Sequence, residues 1–140
     1  MLFDLYDNIS VTQVLSAAAA KTTQTSSAID RQGFNNATVI FNIGQCGDTL
    51  SGALYWTLKL QDSTDGSSYN DVTAAGLLGG LSSSTIVINA PGQDQKAYKF
   101  GYVGGNRYLK AVATPTGSMA NGTPIGIVAL RGGANLAPVA

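Results

Sequence analysis

At 140 residues the chain is long enough for one domain with a real core and too short for two ordinary ones. Eight basic and eight acidic residues cancel to a formal net charge of zero. The clustered cations that nucleic-acid binding needs are therefore missing, and no nucleic-acid partner is expected. The chain has no His and no Glu, and Cys46 is its one cysteine. These absences remove the commonest proton-transfer side chains, any intrachain disulfide, and any zinc site of the Cys/His type.

The segment from Met1 to Asp7 carries two acids where an export signal would carry basic residues ahead of an apolar run, so no export signal is expected. No apolar stretch approaches the 18 residues of a membrane span, and no membrane partner is expected. Residues 1–35 lack a sustained period and read as an N-terminal arm with edge strands. Within them Ser10 to Ser16 is a strand candidate, with Val11 and Leu15 in alternate phase.

From Ala37 onward the pattern has period two, the mark of strands with one buried face. In Thr38 to Ile43, Val39, Phe41 and Ile43 share a face, while Ile40 makes the other face partly apolar. From Ala53 to Gln61, Leu54, Trp56, Leu58 and Leu60 point one way and Tyr55, Thr57, Lys59 and Gln61 the other, which casts Trp56 as a core anchor. Asp65-Gly66 supplies a tight reversal, after which Tyr69 and Val72 begin the return. Ala74 to Ser84, rich in Gly and Ser, reads as a loop or irregular edge.

Four further strands follow at Thr85 to Asn89, Gln95 to Val103, Tyr108 to Thr114 and Ile125 to Arg131, separated by turn-forming Pro, Gly and Asn. Residues 132–140 lose the period and read as a C-terminal tail. The expected fold is all-β: an antiparallel β-sandwich or jelly-roll-like single domain, its core at 36–131, with extended N- and C-terminal arms.

Asp62, Asp65 and Asp71 form the strongest candidate for a cation loop, since hard cations take several oxygens. The segment lacks the alternating acids and closing Glu of an EF-hand, so turn and cap roles are expected there and no metal is assigned. All eight Asp residues are expected at termini or in turns, with no paired carboxylates for acid catalysis. There is no Gly-x-Ser-x-Gly elbow, and the glycines at Gly101, Gly104 and Gly105 match neither a dinucleotide nor a phosphate fingerprint. No cofactor and no catalytic residue is expected. The sequons at Asn8, Asn36 and Asn121 are read as accidents of a Ser/Thr-rich chain. Tyr98, Phe100 and Tyr102 share one strand face, which a sandwich would bury in its core.

Three stretches, LQDSTDGSSYNDV at 60–72, GYVGGNRYLKAV at 101–112 and RGGANLAP at 131–138, resemble small head decoration or cement (auxiliary capsid) proteins of tailed bacteriophages. The resemblance covers about residues 37–138 and carries no catalytic signature. It implies a virion protein on the capsid surface, made in the bacterial host cytoplasm, that bridges subunits of the major capsid protein. It also implies a homo-oligomer, a dimer or a trimer. Leu2, Phe3, Leu5, Tyr6, Leu136 and Pro138 are the expected capsid or oligomer contacts, because apolar side chains have no use in a solvated tail. A tail, head–tail joining or fibre-base role would share this composition. A carbohydrate-binding module would instead use Tyr55, Tyr69 or Tyr108 as sugar platforms.

Overall fold

The computed structural model of the chain describes residues 5–80 and 83–134. The strands are β1 (Ile9–Ala20), β2 (Gln24–Thr25), β3 (Ile29–Asp30), β4 (Phe34–Ile43), β5 (Tyr55–Ser63), β6 (Asn70–Asp71), β7 (Thr85–Ile88), β8 (Lys96–Tyr102), β9 (Tyr108–Thr116) and β10 (Thr123–Ala134). The helical content of the described residues is two single 3-10 turns, Tyr6–Asn8 and Ala74–Gly76. Residues that favour turns over helices, with no Glu among the acids, produce this balance.

The strands pair antiparallel into two sheets. The first has the order β1-β10-β4-β8, and the second the order β2-β9-β5-β6, with β3 also on β9 and β7 also on β5. This is an all-β sandwich. Period two sets which side chains meet between the sheets. Val39, Phe41 and Ile43 of β4, Phe100 and Tyr102 of β8, and Ile125, Ile127 and Ala129 of β10 face Trp56, Leu58 and Leu60 of β5 and Leu109, Ala111 and Ala113 of β9 in one core. The Phe41 and Phe100 rings meet edge to face with centroids 5.8 Å apart.

Trp56 is buried as its alternation requires, and its indole N–H donates to Thr123 Oγ1 at 2.9 Å. The Thr123 hydroxyl in turn contacts the half-buried Cys46 Sγ at 3.0 Å. Trp56 lies in the second sheet and Thr123 in the first, so this bond ties the two layers. The Asp-Gly and Asn-Gly turns form where the sequence puts them, with Gly66 at φ 78° and Gly122 at φ 87°, a region that L side chains avoid.

Three local expectations need correction. β1 runs four residues past Ser16, and register shifts at Gln13/Leu15 and Leu15/Ala18 change which side chains face the core. Val14 and Ala20 are the buried residues of β1, while Val11 is 61% exposed. Asp30, Asp62 and Asp71 sit in β3, β5 and β6 rather than in turns, each held by a partner on another element: Arg107, Tyr102 and Gln61. The two-residue strands β2 and β3 were not foreseen, because two residues carry no period.

Candidate assembly surface

The outward faces of the two sheets differ sharply in chemistry. Antiparallel register places Val11, Leu130, Thr38 and Gly101 in one row across the first sheet, and Gln13, Val128, Ile40 and Lys99 in the next. Gly126, Asn42 and Ala97 continue the pattern, and Ile9, Gly132 and Asn36 flank it at the other end. Lys99 is the one charged side chain in these rows. On the second sheet the outward rows hold Lys59, Lys110 and Asp71 among Thr, Tyr and Gln residues and the valines Val87 and Val112, with a Lys59–Asp71 ion pair at 3.1 Å.

A shallow groove crosses the first sheet's outer face. Thr38, Leu78, Gly79, Lys99 and Gly101 line a depression of about 380 Å³. A second, of about 230 Å³, shares Thr38 and Leu78 and extends to Ile9, Leu130 and Gly132. Leu78 overhangs the sheet, its backbone N–H donating to Gly101 C=O at 2.9 Å. It sits so close that a Cβ at Gly101 would stand 3.0 Å from Leu78 Cβ, so the glycine makes room for the overhang. Leu78 is nevertheless 54% exposed. Exposed apolar area framed by polar groups marks a surface for contact with another protein.

Of the expected contact residues, Leu5 and Tyr6 lie at the head of β1, 73% and 89% exposed. Leu2, Phe3, Leu136 and Pro138 lie outside the described residues. The sheet face itself was missed in the sequence, although Ile40 had shown that its strand was apolar on both sides. Val128 and Leu130 carry the same signal: beside Ile125, Ile127 and Ala129 they make β10 apolar on both faces, which a strand with one solvated side would not be.

The acidic loop does not gather its carboxylates. Asp65 accepts from the N–H groups of Ser67 and Ser68 and from Ser63 Oγ, bonds that hold its carboxyl well below the usual range. Asp71 is bound by Gln61 Nε2 and then Lys59, which likewise lower it, and Asp62 accepts from the Tyr102 hydroxyl at 2.8 Å. Among the described residues no three His, Cys, Asp or Glu side chains come together.

The tyrosines offered as sugar platforms are partly covered. The Lys110 ammonium sits 4.2 Å from the Tyr69 ring centroid, and the Arg107 guanidinium 4.9 Å from that of Tyr108. Each cation takes one ring face from any stacking ligand. Tyr55 stays half-buried on the second sheet's outer face.

A buried polar cluster that the sequence did not disclose closes the β8–β9 connection, where the chain passes from one sheet to the other. Arg31, 8% exposed, donates to the carbonyls of Gly104, Asn106 and Asn35 at 2.6–3.1 Å and stacks 4.7 Å from the Tyr102 ring centroid. Tyr102 OH donates to Asp62 and accepts from the Asn106 N–H at 3.1 Å. Burial, and then the bond to Asp62, pushes its hydroxyl up to about 12. Arg31 lies more than 70 residues from Gly104 and Asn106, so no local pattern points to it.

The sequence matches no known protein family, and a search of curated proteins finds no relative. Solved structures with a similar course include a protein of the disulfide-linked pili on Bacillus endospores, 15% identical over 96% of this chain and 99% of that one, with a TM-score of 0.47. The SPBc2 prophage-derived protein YomS is 11% identical over 89% of this chain and 92% of its own, with a TM-score of 0.48. The cowpea mosaic virus empty-particle protein is 11% identical over 96% of this chain and 86% of its own, also at 0.48. All three TM-scores fall below 0.5. No described helix is long and apolar enough to cross a membrane.

Proposed function

We propose that this chain is a structural protein of a virus particle, without enzymatic activity, that decorates or cements the capsid of a tailed bacteriophage by bridging subunits of the major capsid protein. The observation that carries the reading is the asymmetry of the sandwich. One outer face carries three charged side chains, Lys59, Lys110 and Asp71, beside Val87 and Val112, while the other presents Val11, Ile40, Val128, Leu130 and Leu78 with a single cation. A decoration protein needs one face for solvent and one for the shell or for its own copies. The three sequence stretches that resemble phage decoration proteins favour the same role.

The mechanism needs no cofactor. A body that binds only the assembled shell stabilises it by mass action, and many symmetric copies turn a modest affinity into durable occupancy. The terminal residues Leu2, Phe3, Leu5, Tyr6, Leu136 and Pro138 are assigned as auxiliary contacts in the same role.

Deleting residues 1–8 leaves β1 intact, so the shortened chain should stay folded while its occupancy on purified capsids falls at least tenfold. Counting bound copies per particle on a denaturing gel measures this, and unchanged occupancy would sink the contact assignment. Full-length protein that leaves capsids bare at micromolar concentration would sink the decoration role itself.

A further inference from the structure

The described residues leave the groove on the first sheet open, and an apolar segment, residues 1–6, precedes β1 in the sequence. We propose that this groove receives the N-terminal segment, residues 1–6, of a second copy of the chain, so that copies exchange their starts and close into a dimer or trimer. The inference rests on the reading above as an assembly protein and names the self-contact within it.

Four observations carry it. First, the described residues ahead of β1 do not pack into the groove: a 3-10 turn at Tyr6–Asn8, with the Asn8 N–H donating to Leu5 C=O at 3.2 Å, leaves Leu5 and Tyr6 73% and 89% exposed. Second, the segment concentrates apolar side chains, with Leu2, Phe3, Leu5 and Tyr6 within six residues.

Third, the charges complement. The segment and the turn that follows carry Asp4 and Asp7, with no Lys or Arg before Lys21, whereas the charge on the groove is the cation Lys99, which has no carboxylate partner among the described residues. Fourth, the lengths agree. Three strand spacings separate β1 from β8, about 14 Å, and six extended residues span about 20 Å. The two depressions, about 380 and 230 Å³, share Thr38 and Leu78 and together form one shallow trough along which several side chains of an extended segment can lie.

The bare face also argues for an exchanged segment over flat stacking. Four strands at about 4.8 Å spacing, each presenting about seven residues, offer an area near 450 Å². A stable dimer buries about 800 Å² per partner. Adding a reciprocally exchanged segment brings the contact toward that size, and symmetry then closes the assembly.

The experiment uses the full chain with Cys46→Ser, which removes the native thiol. Tyr6→Cys is made in one preparation and Leu78→Cys in another, both at exposed positions; the two are mixed and oxidised. A disulfide-linked pair containing one chain of each kind is expected. Light scattering on the unmodified chain should give the mass of two or three copies, and Leu78→Asp should raise the dissociation constant at least tenfold while its far-ultraviolet circular dichroism spectrum stays that of the folded chain.

A monomeric unmodified chain would overturn the proposal. So would a Tyr6–Leu78 link that forms only within one doubly substituted chain, or an association that Leu78→Asp leaves intact. The particle reading fails separately: a chain that exchanges its start as described yet leaves capsids bare keeps this inference and loses that role, and a monomer that coats capsids does the reverse.

Discussion

Asp30 and Arg107 meet through two parallel hydrogen bonds of 2.8 Å, a bidentate pair at the sheet margin where β3 lies on β9. The Arg107 hydrogen bond, followed by the Gln32 N–H, lowers the Asp30 carboxyl from 3.8 to about 2. Because the folded form holds the ionised state more tightly, this stabilisation is present above the ordinary carboxylate range and is lost as pH falls through about 4 to 2. At the other extreme, Tyr102 is raised from 10.0 to about 12 by burial and by Asp62. The folded form here holds the neutral state, so its stabilisation is present below pH 10 and is lost as pH rises toward 12. The midpoint of urea unfolding should therefore be flat between about pH 5 and 9 and fall on both sides. Arg107→Gln should flatten the acid fall, and Tyr102→Phe the alkaline one. A profile unmoved by both substitutions would contradict these assignments.

At the scale of the strand, β10 shows how one element serves two purposes. It lies between β1 and β4, with Ile127 fully buried toward the core and its neighbour Val128 half-buried on the outer face. Ile127→Ala should cost about 2–5 kcal/mol in denaturant unfolding, since it removes packed methyls and leaves a cavity. Val128→Ala should cost well under about 1 kcal/mol in the isolated domain. Equal costs would mean that the faces are misassigned. The inward residues of β4, β5 and β8 were legible because alternation is a local property of the chain. β1 was legible as a strand but not in its phase, since a bulge shifts every later side chain to the other face and leaves no local mark.

Across the whole molecule, β1 pairs with β10, β2 and β3 pair with β9, and β4 is joined to both β10 and β8. The long strands from β4 to β10 cross between the layers at β4–β5, β7–β8, β8–β9 and β9–β10. Most pairings thus join residues far apart in sequence, and loop closure must precede the contacts that reward it. Refolding followed by the fluorescence of Trp56, the one tryptophan, should run on the millisecond-to-second scale. Microsecond refolding would be inconsistent with this topology. The same closure sets Ile9 opposite Gly132, so the chain enters beta structure beside the strand on which the described residues end.

By itself the sequence determined the all-β class, the inward faces of β4, β5 and β8, the Asp-Gly and Asn-Gly turns and the core position of Trp56. It also excluded the His, Glu and paired-Cys chemistries. These follow from composition and from a two-residue period, both carried by neighbours in the chain. Only the tertiary structure decided that Val11, Leu130 and Thr38 form one row, that Ile40 lies beside Val128, and that Leu78 roofs Gly101. It alone brought Arg31 to the 104–106 loop and dispersed Asp62, Asp65 and Asp71 among separate partners. The physical reason is the same in each case: a surface or a buried polar cluster is made by pairing distant strands, and register across a sheet is written in no single segment.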